Sequence, residues 1–172
     1  GPIAQCIAGI DIAMHDLFAR RNLKPLWKYL GGTRSEVPTY ASGISPANAI
    51  ETAKLALSVG HDSLKLKIGF NQDNDLKNIR ELSCLLGSCG KLLLDANQSW
   101  TVEQAKYMAE KIEPFDVFWL EEPIAADRPD DEWHELNQIC QIPLAAGENI
   151  FSEGRFLHII SEGYIEIVQP DL

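Results

Sequence analysis

The sequence predicts an α/β domain on a parallel sheet, of the barrel kind. Three observations carry that prediction. Short apolar runs alternate with helical stretches, each repeat taking about 25 residues. The runs show little apolar–polar alternation, which suits strands covered on both faces. Charged residues stand at the ends of successive runs, and in a parallel barrel those ends surround one mouth. The competing architecture, a doubly wound sheet binding a dinucleotide, would carry a Gly-x-Gly-x-x-Gly turn after its first strand. The chain has none there.

The elements follow in order. Ile3, Ile7, Ile10, Met14, Leu17 and Phe18 recur at helical steps, so residues 2–30 predict one helix or two, ended by Gly31 and Gly32. Leu26 and Trp27 are apolar enough to dock on something. Residues 37–41 predict the first strand. Ser45 and Pro46 predict a helix start, with Ser45 as the cap, running to about residue 58 and stopping at Gly60. Residues 64–68 predict the second strand. Asp75 then precedes the helical stripe Leu76, Ile79, Leu82 and Leu86, which residues 87–90 terminate. Residues 92–94 are the third strand. Thr101 and Gln104 form a capping box ahead of Val102, Ala105, Ala109 and Ile112, and Pro114 breaks that helix. Residues 117–120 are the fourth strand, 130–139 a short helix and 144–146 the fifth strand. Ser152 caps a helix through Phe156, Ile159 and Ile160, followed by Gly163. Residues 165–168 are the sixth strand.

Composition narrows the function classes. The 172 residues are 45% hydrophobic, enough for one real core, and 23% charged, which argues against disorder. Lys and Arg total 15 against 25 Asp and Glu, a net charge of -10, so neither nucleic acid nor an anionic membrane is an expected partner. No apolar run approaches the roughly 18 residues of a membrane span, and no basic stretch leads an apolar one as in a secretory signal. Cys6, Cys84, Cys89 and Cys140 lack Cys-x-x-Cys spacing and zinc-finger histidines, so they are expected to be reduced thiols in apolar helices. These features predict a cytoplasmic protein.

The chemistry stands at the strand ends. These read Lys65-Leu66-Lys67, Asp95-Ala96-Asn97, Glu121-Glu122-Pro123, Gly147-Glu148-Asn149 and Gln169-Pro170-Asp171. The intervals are 28 residues from Lys67 to Asp95, 26 to Glu121, 27 to Glu148 and 23 to Asp171. One strand–helix unit separates each charged residue from the next. A lone Asp or Glu after a strand is commonly a helix cap or a solvated loop end. Five in register are better explained by one site. Three converging carboxylates need a cation to stay ionised. Oxygen-only ligation without Cys or His suits Mg²⁺ or Mn²⁺ better than Zn²⁺. Lys65 and Lys67 are expected to face opposite sides of their strand until the backbone turns at its end. A lysine beside a second cation has its pKa pulled down, as a general base requires. Metal and lysine together suit removal of a proton next to a carboxylate, with the metal stabilising the enediolate. Lys67 is expected to face the metal more directly than Lys65.

The motifs, taken together, resemble those of the enolase superfamily, and within it the mandelate racemase-like group. They are Lys65-Leu66-Lys67, Leu94-Asp95-Ala96-Asn97-Gln98, Trp119-Leu120-Glu121-Glu122-Pro123, Ala146-Gly147-Glu148-Asn149 and Gln169-Pro170-Asp171-Leu172. Ala8-Gly9-Ile10-Asp11-Ile12-Ala13 resembles the helix that precedes the barrel in that family, and Leu30-Gly31-Gly32 resembles its end. The resemblance implies that residues 1–32 are the C-terminal helical remnant of a capping domain. Residues 33–172 are then strands one to six of a (β/α)8 TIM-type barrel. It implies Asp95, Glu121 and Glu148 as Mg²⁺ ligands and Lys67 as the base. Lys65 would contact the substrate carboxylate and lower the pKa of Lys67. Asn97 would touch substrate or the ligands, with Glu122 behind them. Asp171 would be the acid of an Asp–His dyad whose histidine lies beyond residue 172. His15, His61, His134 and His158 do not match that histidine and are expected at the surface or on helix faces.

The chain is therefore expected to be a segment of a longer enzyme that abstracts the proton α to a carboxylate with Mg²⁺. Dehydration of a sugar acid or hydroxy acid to a 2-keto acid comes first. Racemisation or epimerisation of a hydroxy acid is the alternative, and a catalytically inactive truncated fragment is the reading from another class. The partner is a small carboxylate substrate. A homo-oligomer is expected at full length, with Leu26, Trp27 and Phe156 as candidates for buried contacts.

Overall fold

The computed structural model describes residues 2–171. The chain divides into two compact units, one taking in Gly1–Pro38 and Asp171–Leu172, the other Thr39–Pro170.

In the first unit, α1 (Pro2–Arg21) and α2 (Leu26–Tyr29) form as the periodicity of 2–30 predicts. Arg20 and Arg21 lie in the last turn of α1, where positive charge suits the helix dipole. The Asn22 side chain donates to Phe18 O at 2.8 Å, and Leu23 takes a left-handed φ of 52° to close the helix. The apolar stripe of α1 is exposed, including Ile3, Ile7, Ile10, Met14 and Leu17. Leu26 and Trp27 are half-buried.

The second unit holds a six-stranded parallel sheet: β1 (Ala41–Ile44), β2 (Ser63–Lys67), β3 (Lys91–Asp95), β4 (Val117–Glu121), β5 (Leu144–Ala146) and β6 (Ile167–Val168). The strand order equals the chain order. A doubly wound sheet reverses its order part-way, so this sequence of strands is that of a barrel wall. Between the strands run α3 (Ala49–Ser58), α4 (Gln72–Leu86), α5 (Val102–Ile112), α6 (Asp130–Ile139) and α7 (Glu153–Glu162). Ile44, Leu64, Leu66, Leu92, Leu94, Leu120, Leu144 and Ala146 pack into the main core with the helices. Leu93, Trp119 and Ala145 form a separate cluster with Tyr40 and Ile167. Residues two apart share a face, so Lys65, Lys67, Asp95 and Glu121 share the face of that second cluster. Strands β2 to β5 are largely buried on both sides, as their apolar character predicts, while β1 and β6 are more exposed.

Local signals behave unevenly. The Thr101–Gln104 capping box is present at α5, Ser152 caps α7, and Gly163 is left-handed after it. The first strand, however, is Ala41–Ile44 rather than 37–41, and Val37 is exposed. The next helix starts at Ala49 behind Asn48, not at Ser45. Asn48 N donates to Ser45 O in a turn, and Asn78 Nδ2 of α4 donates to Pro46 O at 2.9 Å, so a tertiary bond holds these residues out of the helix. Helix α4 starts at Gln72, capped by Asn71, which accepts from Asn74 N. Asp75 is buried inside the first turn of α4, where its Oδ2 accepts from Gly69 N at 2.9 Å. The sixth strand is only Ile167–Val168, because Ile165 is drawn into the core and the Glu166 carboxylate accepts from Leu144 N and Asn137 Nδ2. Cys140 alone among the thiols is buried, and burial pushes its pKa up to about 11. Cys6, Cys84 and Cys89 are exposed, contrary to the expected apolar settings. No helix among the described residues is long and apolar enough to cross a membrane.

Candidate active site

Strands β2, β3 and β4 run in register, pairing Lys67 with Asp95 and Asp95 with Glu121. Three adjacent strand ends thus bring cationic and anionic groups side by side. Lys65 and Lys67 do not face opposite sides. One residue separates them, so both project from the same face and no turning of the backbone is needed. Lys65 Nζ lies 2.9 and 3.1 Å from the two oxygens of Glu121 and 3.1 Å from Asp95 Oδ2. Lys67 Nζ lies 2.6 Å from Asp95 Oδ2 and 2.8 Å from Asn97 Oδ1. Asn97 donates from Nδ2 to Glu148 Oε1 at 3.2 Å, and its backbone N–H donates to Asp95 Oδ1 at 2.9 Å. Of the two lysines, Lys65 reaches two carboxylates and is buried, while Lys67 reaches one and is half-buried.

The loops beyond the strands hold these groups by strained backbone. Asn97, Gln98 and Glu122 have φ values of 42°, 62° and 40°. Such conformations cluster where surrounding structure over-determines them. Gln98 N donates to Glu122 O at 2.7 Å, and Gln98 Oε1 accepts from Ala126 N at 3.0 Å, lacing the β3 and β4 loops together. Glu122 is fully buried, with both its oxygens accepting from Asn149 Nδ2.

Sequence reasoning missed several supporting side chains. Trp119 Nε1 donates to Glu121 Oε2 at 3.3 Å, and Gln169 Nε2 donates to the same oxygen at 3.0 Å. Tyr40 sets its ring 5.8 Å from Lys65 Nζ and meets Trp119 edge-on. The signal for Trp119 was available: it lies two residues before Glu121 and so shares its face. Asp171 belongs to the first unit and is exposed. On the helix faces of α6 and α7, His134 bonds Glu162 and His158 bonds Asp130, and His15 and His61 are half-buried.

The electrostatics follow from crowding. Burial works against the charge of Lys65, but its hydrogen bond to Glu121 and the charges of Glu121 and Asp95 outweigh that, holding its pKa above the ordinary lysine value. Burial likewise opposes ionisation of Asp95, yet the bonds from Lys67 and Asn97 and the charge of Lys65 hold its carboxyl below the usual range. Burial pushes Glu122 up, with the charges of Glu148, Asp95 and Glu121 adding to it against the Asn149 bond.

The donor set suits a hard divalent cation. It is all oxygen, from Asp95, Glu121 and Glu148. Asp95 and Glu121 meet the ammonium groups of Lys65 and Lys67, while Glu122 and Glu148 meet only side-chain amides, so the cluster holds more carboxylates than cations and a divalent ion would add positive charge where it is short. Lys65 Nζ, between Asp95 and Glu121, takes a position such an ion would contest. Among the described residues, no three Asp, Glu, His or Cys side chains stand ready to hold an ion in this arrangement. Asp95 and Glu121 are turned to the lysines instead, and Glu148 to the amides of Asn97 and Asn149.

A family model described as enolase C-terminal domain-like matches residues 48–172. The chain belongs to the enolase superfamily. Its matches include acid-sugar enzymes and mandelate racemase-like proteins. Among curated superfamily relatives, a 3,6-anhydro-alpha-L-galactonate cycloisomerase from Streptomyces coelicolor is 33% identical over all of this chain and 49% of its own length. An L-talarate/galactarate dehydratase from Salmonella typhimurium is 35% identical over 99% of the chain and 44% of its own. A crystal structure of a mandelate racemase/muconate lactonizing enzyme from Bordetella bronchiseptica superposes with a TM-score of 0.96 at 43% identity, over 99% of this chain and 47% of that one. A superfamily structure from Bradyrhizobium, complexed with magnesium and mandelic acid, gives 0.90 at 27% identity over 99% and 48%. The chain spans about half the length of the curated relatives it matches.

Proposed function

We propose that the protein abstracts the proton α to the carboxylate of a sugar acid or hydroxy acid in a Mg²⁺-dependent reaction, and that the outcome is dehydration to a 2-keto acid. The observation that carries this is the bonded set at adjacent strand ends: Lys67 and Lys65 on Asp95, Lys65 on Glu121, and Asn97 joining Lys67 to Glu148. Asp95, Glu121 and Glu148 would hold the ion. When bound, Mg²⁺ supplies positive charge that balances the carboxylates and favours the charge developing on the substrate as its proton leaves. Lys67 accepts that proton at Nζ. Lys65, on the same face two residues back, binds the substrate carboxylate. Asn97 orients Lys67 through its Oδ1. Asp171 is assigned the acid of an Asp–His dyad. Residues 1–32 are assigned to the end of a capping domain.

The relatives that support dehydration act, by name, on sugar acids. Racemisation or epimerisation is the second reading, favoured by the match to a structure holding magnesium and mandelic acid. Incubating the intact protein with candidate acids in ²H₂O separates the two. A dehydratase releases a 2-keto acid. A racemase or epimerase returns substrate carrying one deuterium at the α-carbon with inverted configuration. Neither product nor exchange across a panel of sugar and hydroxy acids would refute the proposal and leave the reading of a catalytically inactive chain.

A further inference from the structure

A single amide stands between two of the carboxylates. Asn149 Nδ2 lies 3.0 and 2.9 Å from the two oxygens of Glu122, and 3.5 Å from Oε1 of Glu148. An amide nitrogen carries two hydrogens. Here one spreads over the Glu122 carboxylate and the other turns toward Glu148. The second contact is at the long limit of a hydrogen bond, but it falls on the same oxygen that Asn97 Nδ2 reaches at 3.2 Å. Both amides therefore address Oε1 of Glu148.

Glu122 and Glu148 are opposites. Glu148 and Asn149 are exposed, on the loop after β5. Glu122 is fully buried, its backbone φ is 40°, and its bonded partner is a neutral amide. A buried carboxylate held this way is costly, as is a left-handed non-glycine residue. A glutamine of the same shape would avoid the charge. A carboxylate has one property that glutamine lacks: both its oxygens only accept. Against Glu122, Asn149 must present Nδ2 and never Oδ1.

We infer that Asn149 is a positioning residue for Glu148, and that Glu122 is the anchor that fixes the orientation of the Asn149 amide. The inference rests on the reading of Glu148 as a ligand of the divalent ion. With both oxygens of Glu122 accepting from its Nδ2, the Asn149 amide is held with its second hydrogen toward Glu148 Oε1. With glutamine there, either end of Asn149 can face it. The flipped amide sets Oδ1 against Glu148 Oε1, and two acceptors repel.

The test titrates Mg²⁺ into the intact protein by calorimetry and melts each variant without metal. Glu122→Gln and Asn149→Ala should each weaken Mg²⁺ binding, about tenfold, as outer partners of metal ligands do. In the Asn149→Ala background, Glu122→Gln should have no further effect, because its link to Glu148 is already cut. The metal-free melting temperature of Glu122→Gln should hold or rise, since a buried charge is removed. A full Glu122→Gln loss in the Asn149→Ala background would mean Glu122 acts through its charge alone, and would overturn the inference. So would a lower melting temperature with unchanged Mg²⁺ affinity, the mark of a merely structural residue. Should Glu122→Gln not fold, exposed Asn149→Ala decides by itself: unchanged affinity overturns the inference and weakened affinity supports it. Failure of the parent protein to bind Mg²⁺ overturns the ligand reading and this inference together. Binding by the parent, unaltered in the variants, overturns this inference alone.

Discussion

The two lysines of β2 differ in what their removal should do. Lys65 is buried between Asp95 and Glu121, so Lys65→Met leaves two buried carboxylates without their shared cation. Breaking a buried pair this way costs about 3–5 kcal/mol. We expect a large drop in the metal-free melting temperature that Mg²⁺ restores further in this variant than in the parent, as ligand binding to the native state requires. Equal Mg²⁺-induced shifts in variant and parent would argue against an ion between these carboxylates. Lys67 is half-buried on one carboxylate, so its loss should spare the fold. Lys67→Ala is expected to slow α-proton exchange by about 10²–10⁴-fold, the usual share of a general base, with Mg²⁺ affinity kept. Exchange at the parental rate would move the base elsewhere. The strand-end spacing made these residues legible, since one strand–helix unit sets their interval. Of the side chains that orient them, Trp119 was legible from its place two residues before Glu121 on β4, but Gln169 on Glu121 and Asn149 on Glu122 were not, being bonds between residues far apart in the chain. Composition and periodicity do not encode which rotamer meets which.

At the scale of elements, the strand ends depend on close backbone approach. A Cβ on Gly147 would stand 2.1 Å from Gln169 O, between the loop after β5 and the chain leaving β6. Gly147→Ala should therefore force the two apart, costing about 1–3 kcal/mol as overpacking does, read as a lowered denaturant midpoint. Because Gln169 Nε2 bonds Glu121, Mg²⁺ affinity should fall as well. A midpoint equal to the parent's would show that the approach is not needed. Helices α6 and α7 are pinned on their outer side by Asp130, whose oxygens accept from Arg155 at 2.6 Å and Tyr164 at 2.8 Å and bond His158 at 2.7 Å. Arg155 foremost, then His158 and Tyr164, hold the Asp130 carboxyl well below its usual range, while the same bond and burial push the Tyr164 hydroxyl up to about 12. A depressed carboxyl contributes stability above its unfolded pKa, near 3.9, and loses it as pH falls toward its folded value. Asp130→Asn should thus lower stability at pH 7 and flatten its decline below about pH 4. About 1 kcal/mol or less is expected, because the cluster is partly exposed and salt-screened. An unchanged acid limb would remove Asp130 from the account. Element identity was legible wherever local signals stood alone, as with Thr101 and Gln104. It slipped where tertiary bonds intervened: Asn78 holds the Ser45–Pro46 turn out of α3.

At the scale of the whole chain, the sheet decides behaviour in solution. Among the described residues β1 and β6 each pair with one strand only. Unpaired edges of parallel strands template association. Behind them the face carrying Leu93, Trp119 and Ala145 is apolar below its charged rim. In the first unit, one stripe of α1 exposes Ile3, Ile7 and Ile10 at 78%, 63% and 64%. A monomeric protein rarely leaves so continuous an apolar stripe in water. The net charge of -10 opposes aggregation at low salt but is screened as salt rises. The 172-residue chain alone is therefore expected to associate at micromolar concentration and to bind a dye that reports exposed apolar surface. Light scattering coupled to size exclusion reads the first property, and thermal melting should be broad. Replacing Ile7 and Ile10 with lysine should lower the associated mass if the α1 stripe drives it, and leave it unchanged if the strand edges do. A monodisperse monomer with a sharp cooperative melt would contradict both routes, because edges and stripe would then have to be covered within a single copy of the chain.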